Sequence, residues 1–332
     1  MHQTADFPGA AAIVSAAAHR LSLGSRGVLM KEEPGVATTM EGAVGFRGYR
    51  TWYKVVGQLH PVSGKLPLLV LHGGPGVPHD YLEDLARLAD GGRAVVFYDQ
   101  LGCGKSDQPD ESALWVMDAF IEEVGAIRDA IGLDRVHLLG HSWGGWLALE
   151  YALRRPPGLA SLILASTCAS LPAFAGETKR LKGSLPADVQ ETIDRHEAAG
   201  TTDDEEYVEA TMAYYTQWMC RRDPFPEHVM HSFMNIREEI YGIMQGPEWN
   251  VTGNLKDWNV TDRLGELDLP VLITSGRHDE MTPTLIKPLV EGIPGAESVV
   301  FEESAHLAMA EEPERYRRVV ESFLGRVEAS QA

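Results

Sequence analysis

The segment Val136 to Trp146, VHLLGHSWGGW, carries the residue best suited to chemistry in this chain. An apolar run ends in Gly140, His141, Ser142, Trp143 and Gly144, which fits the GxSxG pattern of a serine held on a cramped strand-to-helix turn. A side chain at either glycine would crowd that turn, and the turn lifts the serine hydroxyl clear of the sheet. The stretch after it, with Leu147, Ala148, Leu149, Tyr151 and Ala152, has helical character. Ser142 is therefore the candidate nucleophile.

A serine hydroxyl is a poor nucleophile at neutral pH, so a base must take its proton and a carboxylate must orient the base. In folds with this elbow the partners come after the serine as acid, then histidine. His306 lies in a polar loop, Glu302 to His306, after the last strand-like segment. Asp279 lies in the loop GRHDEMTP after the strand-like run Val271 to Ser275. The spacing assigns Asp279 as orienting acid and His306 as base. Glu280 is the adjacent rival acid and His278 the rival base, and neither fits the order as well.

Acyl transfer also needs donors aimed at the developing oxyanion. His72 to Gly76 reads HGGPG directly after Pro67 to Leu71, and a loop without side chains lets backbone N–H groups approach a substrate. Gly74 N–H and Trp143 N–H form the expected pair. The segment DQLGCGKS, Asp99 to Ser106, ends like a phosphate-binding loop, but the first glycine of GxxxxGKS would fall on Asp99. We read it as a glycine-rich turn shaping the pocket wall.

The elements that must position these residues emerge from periodicity. Strand-like segments occur at 46–56, 68–71, 94–99, 136–139, 162–165, 271–275 and 298–301. Helical spacing runs from Trp115 to Ile131, and an amphipathic helix closes the chain from Glu312 to Val327. Strand alternating with helix predicts a mostly parallel sheet flanked by helices. Residues 1–42 read as an N-terminal extension, 43–167 and 264–332 as the sheet core, and 168–263 as an inserted helical cap over the carboxyl ends of the strands, where ligands bind in such sheets.

The chain has 332 residues, 44% of them hydrophobic, with net charge −19. That charge argues against nucleic acid. Cys103, Cys168 and Cys220 are widely spaced, which predicts neither a disulfide framework nor a zinc site and suits a cytoplasmic protein. No run suggests a secretory signal or a membrane span.

Together, HGGPG, YDQLGCGKSD, GHSWGGW, GRHDEMTP and SAHLAMAEEPERY resemble the proline iminopeptidase family of α/β-hydrolases. The resemblance implies the α/β-hydrolase fold and a monomeric or weakly associating cytoplasmic serine aminopeptidase without cofactor or metal. Such an enzyme releases an N-terminal residue, often proline, from short peptides or amides through an acyl-enzyme. It carries the triad onto Ser142, Asp279 and His306 and the oxyanion donors onto Gly74 and Trp143. It also implies cap acids that bind the free substrate amine, for which Glu248 in GPEWNVTG and Glu209 are the matches here. Alternatives of the same fold are an amino acid amide (prolinamide) hydrolase and a carboxylesterase; a noncatalytic small-ligand-binding protein is the alternative of another class.

Overall fold

The computed structural model describes residues 38–59 and 64–331. Its strands are β1 (Thr39–Phe46), β2 (Tyr49–Val56), β3 (Leu68–Leu71), β4 (Val95–Tyr98), β5 (Val136–His141), β6 (Leu159–Ala165), β7 (Val271–Gly276) and β8 (Glu297–Phe301). They form one eight-stranded sheet in the order β1-β2-β4-β3-β5-β6-β7-β8. Only β2 runs against its neighbours β1 and β4; from β4 to β8 every pairing is parallel. The sheet and its helices are those of the α/β-hydrolase fold.

Strands β3, β4 and β5 are buried along their whole length, which is why they appear in the sequence as continuous apolar runs. Their alternate residues serve two cores. Leu69, Leu71, Val96 and Leu138 pack on one face with α1 (Met117–Ala130) and α2 (Trp143–Leu153). Leu68, Val70, Val95, Phe97 and Leu139 pack on the other with the 3-10 segment His79–Gly91 and the long helix near the carboxyl end. The alternation is the strand's period of two.

The sequence places one strand at 46–56 where the structure has a hairpin, β1 and β2, joined at Arg47 and Gly48 with φ of 49° and 88°. Both positions of a two-residue hairpin turn need positive φ, and glycine supplies only the second. That left-handed arginine is invisible to periodicity. β1 also begins at Thr39, so residues 39–42 belong to the sheet and not to an extension; residues 1–37 of the expected extension lie outside those described. The closing helix expected from Glu312 to Val327 is α10 (Pro313–Gln331), and a short helix α9 (Ala308–Glu311) precedes it; Pro313 cannot donate to the preceding turn and opens the new helix.

Between β6 and β7 lie α3 (Leu171–Lys182), α4 (Ala187–Ala199), α5 (Glu205–Trp218), α6 (Glu227–Met234) and α7 (Glu238–Met244). Tyr207, Tyr214, Ile193, Met230 and Trp249 give them a small core of their own. Helix α8 (Pro283–Gly292) comes after β7. Among the described residues no helix is long and apolar enough to cross a membrane.

Candidate active site

Ser142 sits between β5 and α2 with φ 54° and ψ −121°, a conformation an L-residue holds only when its surroundings force it. The surroundings are specific. A Cβ on Gly140 would lie 2.1 Å from Gly144 O, and one on Gly144 would lie 2.2 Å from Leu71 O, so the elbow closes only around bare backbone. Ser142 N–H donates to Ala165 O at 3.0 Å, and Ser142 O accepts from Thr167 Oγ1 at 2.9 Å and Gly145 N–H at 2.8 Å.

His306 and Asp279 come from the loops after β8 and β7. His306 Nδ1 donates to Asp279 Oδ1 at 2.8 Å, and that oxygen also accepts from Met281 N–H at 2.8 Å. This leaves Nε2 as the nitrogen that faces the cavity shared with Ser142. His278 is not among the residues lining that cavity. The two loops are locked together by Arg277 N–H on Phe301 O at 2.8 Å and His278 N–H on Ser304 O at 3.0 Å. The end of α5 pins them from above: Trp218 O accepts from Glu280 N–H at 3.3 Å and from His306 N–H at 3.2 Å.

The HGGPG loop approaches from the other side. Gly73 N–H is spent on Tyr81 Oη at 2.7 Å; among the described residues no backbone acceptor takes Gly74 N–H or Trp143 N–H. Gly74 has φ 113°, a region that favours glycine. The loop is fixed by side chains that spacing did not single out. Tyr81 Oη lies 2.8 Å from His141 Nδ1, and His141 Nε2 lies 3.0 Å from His306 O. Burial holds the His141 imidazole far below its ordinary pKa. It is therefore neutral, with Nε2–H donating to the His306 carbonyl and Nδ1 accepting from Tyr81. One chain of bonds thus joins the glycine loop, the elbow and the loop that carries His306. The segment DQLGCGKS, expected in the pocket wall, contributes none of the residues that line the cavity and lies behind them: Gln100 N–H donates to His72 Nε2 at 2.9 Å, and Gln100 Oε1 accepts from Trp143 Nε1 at 2.8 Å.

The cavity encloses about 100 Å³ beside Ser142 and is mostly apolar. Two carboxylates enter it. Glu248 accepts from Tyr241 Oη, which itself accepts from Gln245 Nε2 at 2.6 Å. Glu280 accepts from Tyr214 Oη at 3.2 Å and lies 3.9 Å from His306 Nε2. Glu209 is not there. The buried face of α5 is Tyr207, Val208, Ala210, Thr211 and Tyr214, and Glu209 falls on the exposed side between them. The second acid of the cavity is Glu280, adjacent to Asp279 in sequence but facing the cavity.

Electrostatics here are governed by burial and by the acids themselves. Burial, with Glu248 and Asp279 nearby, raises the Glu280 carboxyl to about 8, and burial raises Glu248 too. Burial opposes a charge on His306, but Asp279, Glu280 and Glu248 outweigh it and lift its pKa to about 9. The site therefore holds protons that a bound cation would replace.

A model of the alpha/beta hydrolase fold matches residues 67–313. A proline iminopeptidase of Heyndrickxia coagulans is 45% identical over 267 residues, covering 80% of this chain and 92% of the relative. One from Saccharolobus solfataricus is 39% identical and covers 84% and 90%. The chain belongs to the proline iminopeptidase family of α/β-hydrolases. Among solved structures, VinJ superposes with a TM-score of 0.83 at 42% identity, covering 87% of this chain and 99% of that one. The proline iminopeptidase of Mycobacterium smegmatis superposes with 0.80 at 39% identity, covering 88% and 100%. The matched residues 67–313 include every residue that lines the cavity, from Gly73 to Leu307.

Proposed function

We propose that this chain is a serine aminopeptidase that releases an N-terminal residue, proline foremost, from short peptides or amides. The observation that carries the reading is the pair of buried carboxylates, Glu248 and Glu280, opening on the cavity of Ser142 and His306 with no lysine or arginine among the described residues that line it. Two buried acids that share only the His306 imidazole as a cationic neighbour among the described lining residues are costly, and a protonated amine is the partner that relieves them. The names of the relatives support the same substrate. Trp146 and Phe174, with ring centroids 6.0 Å apart, give the N-terminal side chain an apolar wall.

In this reading the ammonium sits against Glu248 and Glu280 and the scissile carbonyl oxygen points at Gly74 and Trp143 N–H. Ser142 Oγ attacks the carbonyl carbon while its proton passes to His306 Nε2, and Asp279 steadies the imidazolium. The C–N bond breaks as His306 returns the proton to the leaving amine. Water then adds to the acyl-enzyme by the reverse proton path, freeing the N-terminal residue and Ser142. The residues at the site supply every proton transfer. The same reading takes the enzyme as a cytoplasmic monomer or weak oligomer, in keeping with its free, buried cysteines.

The test compares hydrolysis of proline p-nitroanilide with its N-acetylated form, using Ser142→Ala as blank. Strong preference for the free amine, and loss of turnover in the variant by about a million-fold, is expected. Equal rates on the two substrates would replace the aminopeptidase with an esterase-like hydrolase.

A further inference from the structure

We infer that the leaving-group side of this site is built for a bulky, apolar and uncharged amine component, so that the enzyme selects the group beyond the scissile bond as well as the residue before it. The inference rests on the aminopeptidase reading above and adds the class of leaving group.

The flanks of Ser142 pack into different cores. Trp146 and Phe174 belong to the apolar cluster on the α2 side, together with Met244 beside Gln245. Glu248 is tied to the same flank, since its backbone carbonyl accepts from Thr178 Oγ1 on α3 at 3.3 Å. Val77, Leu307 and Ile236 line the same cavity but pack with the cluster under the glycine loop, and Phe225 and Phe233 line it where that cluster meets the cap's own core. With the ammonium at Glu248 and the carbonyl at Ser142, the chain beyond the scissile bond has this second flank to run along. Ammonia as leaving group would not fill it.

The character of that flank sets its occupant. The acidic and basic side chains in the cavity wall are Glu248, Glu280 and the histidines. Two cap arginines are engaged elsewhere: Arg237 bonds Gln108 at 3.0 Å and Glu239 at 2.6 Å, and Arg222 bonds Ala310 O at 3.1 Å. Among the described residues the free carboxylate of a dipeptide would therefore meet two acids and no lysine or arginine in the wall. Met212, Met219 and Met230 add thioethers from the cap, flexible enough to fit apolar groups of different shape.

The experiment measures kcat/KM for Pro-Gly-NH2, Pro-Leu-NH2, Pro-Phe-NH2 and Pro-Phe-OH, whose amine leaving groups differ mainly in size and charge. A rise of about tenfold or more from the glycine to the leucine and phenylalanine amides is expected. Pro-Phe-OH should fall at least about tenfold below its amide, because a desolvated carboxylate lacks a partner there. Phe233→Ala should compress the ratio of phenylalanine to glycine amide. A flat series on the unaltered protein, or a preference for the free carboxylate, would overturn the inference while leaving the aminopeptidase reading intact. Failure to cleave any of the four, with proline p-nitroanilide also resistant, would overturn both.

Discussion

Glu248→Gln isolates the amine anchor from the acyl-transfer machinery. The substitution keeps the shape of the side chain and an oxygen that can accept from Tyr241 Oη, the bond Glu248 makes in the structure. What it removes is one of the two carboxyl groups facing the cavity, and with it a negative charge that the bound ammonium would meet. Removing one partner of a buried, hydrogen-bonded charge pair costs about 2–5 kcal/mol, and each 1.36 kcal/mol is about tenfold in rate. With Glu280 still present the loss in kcat/KM for proline p-nitroanilide should lie toward the lower part of that range, from about 30-fold to several hundred-fold. An ester without an amine, such as p-nitrophenyl acetate, makes no use of the anchor and should lose less than about threefold. The assay is the ratio of the two losses on the same protein preparation. Equal losses would refute the reasoning, since they would mean that Glu248 acts on the fold or on His306 and not on the ammonium.

Two further expectations arise from the same geometry. At pH 7 the free site holds protons on His306, raised to about 9, and on Glu280, raised to about 8. A bound ammonium favours the ionised acids and disfavours the imidazolium, so both pKa values fall and protons leave. Titration with pyrrolidine in buffers of different ionisation enthalpy should show net proton release at pH 7, and proton uptake would contradict it. Gly144→Ala places a methyl where Leu71 O stands 2.2 Å away. The elbow must move off β3 at a cost of about 1–3 kcal/mol or more, seen as a Tm lower by about 5 °C together with lost turnover; an unchanged Tm and rate would show that the glycine is not required by packing.

Much of the fold was legible because burial on both sheet faces writes itself as uninterrupted apolar runs, as in β3 and β5. Ser142 and Asp279 were legible as candidates because each comes after such a run, and His306 because it comes after the last strand, β8; a loop at the carboxyl end of a parallel strand opens toward a common crevice. The β1–β2 hairpin was not, since it turns on an arginine with φ 49°, which nothing in the local pattern announces.

The sequence by itself determined which residues could be nucleophile, acid, base and oxyanion donors, because those are fixed locally by a strand, a turn and the glycines between them. Tertiary structure alone decided which acids share the cavity. Glu280 and Glu248 reach it from the loop after β7 and the segment after α7, while Glu209 is turned outward on α5 by the burial of its neighbours. It likewise joined Tyr81, His141 and the His306 carbonyl into one hydrogen-bonded chain. The reason is physical: a strand or an elbow arises from contacts among near neighbours, whereas a binding pocket is made where distant segments pack, and which side chains face inward there depends on the packing of every helix around it.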